Sequence, residues 1–177
     1  MTISIRFLLA LMAFVISTFA IADNNQYKLS SGDVISIKVF AEPDLSIEEI
    51  KLTEQGKFTY PFVGEINAKG LTALQLQNKI KDTLTGDYLV NPRVSVSVLE
   101  YRQFYISGEV KEPNGYPYQP GLTIRRAIAL AGGMTERASE RRITIIREND
   151  PLKKPNYVTL EDLVMPGDSV TIDQGFF

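Results

Sequence analysis

The chain has 177 residues, 44% of them hydrophobic and 23% charged, an ordinary globular composition that excludes a largely disordered polypeptide. It contains neither cysteine nor histidine, which excludes disulfides, thiolate metal ligands and an acylated N-terminal cysteine, together with the usual general base and pH switch. A formal net charge of −2 argues against nucleic acid as a partner, because such binders carry a basic excess on one face.

Residues 1–22 read as a signal peptide. Met1 to Arg6 is a short region with one positive side chain, Phe7 to Ile21 is a nearly unbroken apolar run, and Ala20-Ile21-Ala22 is a small-x-small cleavage signature. Cleavage is expected between Ala22 and Asp23. As a helix the apolar run spans about 22 Å, short of the roughly 30 Å hydrocarbon core of a bilayer. No second long apolar run follows, so the processed chain is expected in the periplasm or outside the cell.

The first half reads as a compact α+β unit. Ser31-Gly32-Asp33 is a turn, and from Val34 to Phe40 Ile35, Ile37 and Val39 share one face, the period-two signature of a half-buried strand. Glu42-Pro43-Asp44 ends it. Glu49 to Leu52 and Lys57 to Tyr60 flank the Gly-containing turn Thr53 to Gly56 and are expected to pair as a hairpin. Pro61 confines the continuing strand, resumed over Phe62 to Ile66, to an edge or a bulge. Thr72 and Gln75 form a capping box that opens a helix over Ala73 to Leu84, with Ala73, Leu76, Ile80 and Leu84 as its buried stripe. Val94, Val96 and Val98 then alternate with Ser95 and Ser97 in a further strand.

The second half begins with a strand through Phe104 and Ile106, a hairpin closed by Lys111 to Gly115 (KEPNG), and a return strand over Tyr116 to Tyr118. Thr123 is the expected N-cap of a helix whose apolar positions are Ile124, Ala127, Ile128 and Ala131, stopped by Gly132-Gly133. A hairpin feeding a helix is the start of a β-grasp-like unit. Strands at Ile143 to Arg147 and Tyr157 to Leu160 follow, joined by a polar connection. Met165 to Val170 echoes Ser31 to Ile35: in both a Gly-Asp turn launches a β-branched strand, either as a trace of a repeat or as common turn chemistry.

One charge asymmetry stands out. Arg125, Arg126, Arg137, Arg141, Arg142 and Arg147 outnumber Glu136 and Glu140 in an otherwise acidic chain. The patch can face an anionic polymer, pair across a subunit boundary with Glu48, Glu49 and Glu54, or form a solvated face over apolar surface. Tyr116 and Tyr118 are candidates to stack on sugar rings, or strand residues with one side in the core. Carboxylates are plentiful but fall in no catalytic pattern; no enzymatic activity, no cofactor and no metal site is expected.

Four stretches carry a family resemblance: YKLSSGDVISIKVFAEPDLS (27–46), GKFTYPFVGEINAKGLTALQLQNKI (56–80), YLVNPRVSVSVLEY (88–101), and the SGEV, PG and AGG elements between Tyr101 and Thr135. With them the chain resembles the polysaccharide biosynthesis/export family of bacterial outer-membrane exporters, an export domain followed by a soluble ligand-binding β-grasp (SLBB) domain. The resemblance implies an α+β fold of two small domains, residues 23–102 and 103–177. It also implies a homo-oligomeric ring through which capsular polysaccharide or exopolysaccharide is transported, working with an inner-membrane polysaccharide copolymerase. Larger members carry a second SLBB domain and a C-terminal amphipathic helix that forms an outer-membrane barrel, and most members carry a lipidated N-terminal cysteine. The chain departs from them, which implies a short member lacking the membrane helix: a periplasmic ring associated with the outer membrane through a separate β-barrel. The alternative is a periplasmic β-grasp ligand-binding or scaffold module of the same machinery that forms no passage itself.

Overall fold

The computed structural model describes residues 27–175, so the expected signal peptide and the expected cleavage between Ala22 and Asp23 lie outside the described residues. The first half is built around β1 (Val34–Val39), whose Ile35, Ile37 and Val39 are buried as the alternation requires. A strand this deeply buried needs a hydrogen-bonded neighbour along both edges. Those neighbours are β2 (Ile47–Lys51) and β5 (Val94–Glu100), both antiparallel to it, in the order β2-β1-β5. A short 3-10 turn, Pro43–Leu45, carries the chain from β1 to β2.

The expected pairing of β2 with the next strand does not occur. β3 (Lys57–Tyr60) pairs with β4 (Gly64–Asn67) in a hairpin of its own, Lys57 opposite Asn67 and Tyr60 opposite Gly64. Because β1 already takes β2, the Thr53–Gly56 turn joins two separate sheets. Gly56 makes the change of direction at φ +72°, lying so close to Lys69 that an added Cβ would sit 2.6 Å from that residue's Cβ. Pro61 is likewise in a turn and not in an edge strand: the hairpin reverses over Pro61–Val63 with Phe62 at φ +62°. Phe58, Tyr60 and Ile66 close the core from this side, and the Tyr60 hydroxyl donates to the Leu45 carbonyl at 2.7 Å.

Helix α1 (Ala73–Leu84) has the bounds its sequence implies. Thr72 accepts from the Gln75 amide at 3.1 Å, and the Gln75 side chain accepts from the Thr72 amide at 2.9 Å, closing the capping box. A helix of 12 residues is marginal in water by itself. Burial of Leu76, Ile80 and Leu84, each 0% exposed, stabilises it by about 1.5–3 kcal/mol per side chain.

In the second half β6 (Phe104–Gly108) and β10 (Ser169–Gln174) lie side by side in parallel, Tyr105 opposite Ser169 and Gly108 opposite Ile172. Parallel neighbours demand a long crossover. It consists of β7 (Asn114–Tyr116), α2 (Ile124–Leu130), β8 (Ala138–Ile146) and β9 (Asn156–Val158), giving the sheet order β7-β6-β10-β8-β9. α2 covers one face, burying Ile124, Ala127 and Ile128 against Phe104, Ile106, Ile143, Ile145, Val170 and Ile172. The Thr123 hydroxyl caps α2 by accepting from the Arg126 amide, and Gly132 and Gly133 end it at φ +76° and +91°. This is the β-grasp-like arrangement expected, and the protein is an α+β molecule of two small domains with one hydrophobic core each.

The first hairpin of this half turns earlier than its Asn-Gly pair suggests. Asn114 and Gly115 lie within β7, and the reversal occupies the residues after Gly108. Gly108, at φ +83°, packs directly on the Ile172 carbonyl and leaves no room for a side chain. The loop is then anchored to the end of α2 by Lys111 and Glu112 amides donating to the Gly133 and Ala131 carbonyls, both at 3.0 Å. No described helix is long and apolar enough to cross a membrane.

Candidate functional site

The two Gly-Asp turns noted in the sequence have the same geometry. Gly32 and Gly167 take φ of +84° and +85°, and Asp33 and Asp168 are 0% and 2% exposed. Each carboxylate accepts from the amide three residues earlier, Ser30 at 2.8 Å and Met165 at 2.7 Å. Each turn also clasps a neighbouring segment. The Gly32 amide donates to the Leu52 carbonyl and Leu52 donates back to Asp33; Gly167 donates to Gln103, and Tyr105 donates back to Asp168.

Around the first turn the two domains meet. Arg102, on the segment between β5 and β6, donates its backbone N–H to Asp33 Oδ1 at 3.1 Å. Its guanidinium lies 3.4 Å from Asp33 Oδ2, donates through Nη1 to the Tyr27 hydroxyl at 2.5 Å, and through Nε pairs with Glu148 of the second domain. Tyr27 in turn donates to Asp33, and its ring lies 5.4 Å from the guanidinium carbon. Burial, followed by the hydrogen bond to Asp33, holds the Tyr27 phenol far above its ordinary range. Burial acts to lower the pKa of Arg102, but Tyr27, Glu148 and Asp33 outweigh it and keep the guanidinium firmly charged. An aromatic series runs alongside: Tyr27 meets Tyr101 edge-on at 4.8 Å, and Tyr101 meets Tyr118 at 5.3 Å. Above this network a cleft of about 550 Å³ opens, with Ser31, Lys51 and Glu100 on one side and Gln103, Tyr105 and Glu148 on the other.

The arginine cluster divides when folded. Arg125 and Arg141 line a groove of about 590 Å³ beside β9 together with Tyr157, and Arg125 donates Nε and Nη2 to Glu161 at 3.0 and 2.6 Å. Arg137 donates to the Gln174 side chain and lies 3.8 Å from Glu109, while Arg142 donates to the Gln174 carbonyl at 3.2 Å. Arg147 is drawn into the second Gly-Asp turn, 2.6 Å from Asp168 Oδ2. Arg126 stands exposed on α2; Glu48, Glu49 and Glu54 are exposed in and beyond β2. Tyr116 and Tyr118 are half-buried against the second core. Tyr116 stacks 6.0 Å from Phe104 and donates to the Glu112 carbonyl, and burial raises the Tyr118 phenol.

The residues that sequence reasoning missed are Tyr27, Asp33, Arg102 and Glu148 at the junction, and Tyr105 in the cleft. The repeated Gly-Asp turn pointed to Asp33. The alternation that sends Phe104 and Ile106 inward pointed to an outward Tyr105. Nothing local pointed to Arg102 meeting Glu148, 46 positions away.

Comparison with known proteins agrees with this two-part organisation. The family model described as polysaccharide biosynthesis/export protein matches residues 21–99, and the SLBB domain model matches residues 103–162. The exopolysaccharide production protein ExoF of Rhizobium meliloti is 31% identical over 135 residues, an alignment covering 70% of this chain and 32% of that protein. The EPS I polysaccharide export outer membrane protein EpsA of Ralstonia solanacearum is 26% identical over 142 residues, covering 64% of this chain and 37% of that protein. EpsA of Ralstonia nicotianae is 26% identical over 156 residues, with 72% and 40% covered. The chain thus spans about a third to two fifths of the length of the curated relatives it matches. With an export-type domain and an SLBB domain in succession, the chain belongs to the polysaccharide biosynthesis/export protein family.

Proposed function

We propose that the protein is a non-catalytic component of an exopolysaccharide or capsular polysaccharide export path. Copies assemble in the periplasm as a ring and conduct the polymer toward or across the outer membrane. An inner-membrane copolymerase delivers the chain, and a separate outer-membrane β-barrel completes the route. Residues 23–102 form the export domain and 103–177 the SLBB domain. In this reading Arg125, Arg126, Arg137, Arg141 and Arg142 contact polymer or a neighbouring subunit. The observation that carries it is the union of the two matched domains through the half-buried Tyr27–Asp33–Arg102–Glu148 network. A closed ring requires each subunit to present its two contact surfaces at a constant angle, and a stiff junction supplies that angle.

Electron microscopy of the processed protein, alone and with its copolymerase, tests the assembly; rings with an open centre are the expected outcome. A protein that stays monomeric at high concentration and with its partner present acts instead as a scaffold or ligand-binding module. Neutralising Arg137, Arg141 and Arg142 together should lower polymer secretion without altering ring size, and unchanged secretion removes them from the contact surface.

A further inference from the structure

We infer that the cleft between the two domains is a binding site for an uncharged stretch of sugar chain, with the ring of Tyr105 as its platform; this rests on the export reading above. Tyr105 is 54% exposed, on the sheet face opposite α2. Its partner across the strand pair is Gly115, the residue without a side chain. A Cβ there would lie 3.0 Å from the edge of the Tyr105 ring and 2.8 Å from the Gln103 side-chain oxygen. The ring and the carboxamide therefore lie down over β7 and present themselves to the cleft instead of standing away from the sheet. Tyr116 and Tyr118 have no such freedom, since their rings pack on Phe104 and Tyr101.

The chemistry around the ring selects the ligand. The C–H bonds on one side of a pyranose carry partial positive charge and rest favourably on the negative face of an aromatic ring. Its hydroxyls need donors and acceptors at the rim, and Gln103, Glu100, Lys51 and the Ser31 hydroxyl line the same cleft. Lys51 and Arg102 face Glu100 and Glu148 across the lining, and the Asp33 carboxylate lies beneath Arg102, so an anionic ligand gains nothing from the local charge. At about 550 Å³ the space is within the roughly 300–1,000 Å³ typical of small-ligand pockets. Its floor is firm, because the Gly167 amide holds the Gln103 carbonyl at 3.0 Å and Arg102 is tied to both domains. Open on one side and built on one ring, the site gives the weak, repeatable contact that a moving polymer requires.

The test is amide chemical-shift mapping of the protein titrated with short fragments of the secreting strain's own polysaccharide, separated by anion exchange into neutral and acidic fractions. The neutral fraction should shift resonances of Ser31, Gln103, Tyr105 and Gly167. Tyr105→Ala should weaken that binding on the order of tenfold, the size of one aromatic contact, while Tyr105→Phe retains it. Gln103→Ala provides a second variant whose side chain lies outside both cores. Shifts confined to the Arg125–Arg141 groove, no shifts at all, tighter binding of the acidic fraction, or unaltered affinity in Tyr105→Ala would each overturn the assignment. Secretion by a strain deleted for the chain separates the two claims. Lost secretion without binding at the cleft removes the cleft alone, and retained secretion removes the export reading itself.

Discussion

The two Gly-Asp turns have one local design and two uses. At Asp168 the carboxylate serves its own domain: Arg147 and the Glu148 amide reach it from the end of β8, 21 and 20 positions away. At Asp33 the same turn receives Arg102 from 69 positions away, and through Arg102 it receives Glu148 of the other domain. One turn braces a sheet end; the other joins two domains. A short motif thus specifies the shape of a turn and the burial of its carboxylate, and the partner that arrives decides the work that carboxylate does.

The comparison predicts unequal costs for equal substitutions. Asp33→Ala removes the buried acceptor that Arg102 (11% exposed side chain), the Tyr27 hydroxyl and the Ser30 amide share, leaving Glu148 as the one carboxylate on Arg102 among the described residues. It should destabilise by about 3–5 kcal/mol, the cost of breaking a buried ion pair. Asp168→Ala exposes a partner that already reaches solvent, Arg147 at 34%, and should cost about 1–3 kcal/mol. Urea midpoints of the two variants decide it, and equal losses would erase the distinction drawn between the turns.

Alkali should act next in size. Burial pushes the Tyr60 phenol up from 10.0 to about 12, and Tyr27 is raised further still. Both groups are neutral when folded but ionise earlier when unfolded, so their contribution is fully present below pH 10 and is lost as pH rises toward 12. For Tyr60 the loss amounts to about 2–3 kcal/mol. Thermal unfolding followed from neutral pH upward should show the decline, and Tyr60→Phe should make it shallower while leaving the share of Tyr27. A decline of equal depth in Tyr60→Phe assigns the effect elsewhere.

The glycines offer a finer contrast. Ala at either position meets the left-handed backbone, a strain of about 1–2 kcal/mol. At Gly32 an added Cβ meets only the Arg102 Cβ, at 3.9 Å, whereas at Gly167 it runs into the Glu148 carboxylate and lies 2.8 Å from Arg102 Nε. Gly167→Ala should therefore unpair Glu148 from Arg102 and broaden the distance distribution between spin labels placed one in each domain. Gly32→Ala should leave that distribution narrow. The smallest effect is expected at Arg125→Ala: its pair with Glu161 is exposed at 61% and 71%, so stability should change by about 0–1 kcal/mol. A larger loss would show that the groove beside β9 holds the second domain together.

Much of the fold was legible because its signals act over three or four residues. Thr72 and Gln75 close a capping box within one turn of backbone, and Ile35, Ile37 and Val39 share a face because strand geometry repeats every two residues. Pairing partners were not legible. A Gly turn between two strands looks the same whether they pair or part, and β2 left β3 because buried β1 needed both edges covered. The Asn114-Gly115 pair carried a strong turn signal, yet the chain reverses just after Gly108, whose left-handed backbone ends β6 where β10 passes too close for a side chain.

The same division runs through the candidate site. The run of arginines is a fact of sequence, but folding sends Arg147 to a buried aspartate, Arg137 and Arg142 to Gln174, and Arg125 and Arg141 to a groove. By itself the sequence determined the helices, the strand faces, both Gly-Asp turns and the family resemblance, because backbone geometry and short-range hydrogen bonds suffice for these. Only the tertiary structure decided which strands are neighbours, that Arg102 joins Asp33 to Glu148, and that Tyr105 is left open at the cleft between the domains. Those outcomes depend on which distant surfaces must be buried together, and no local pattern encodes that.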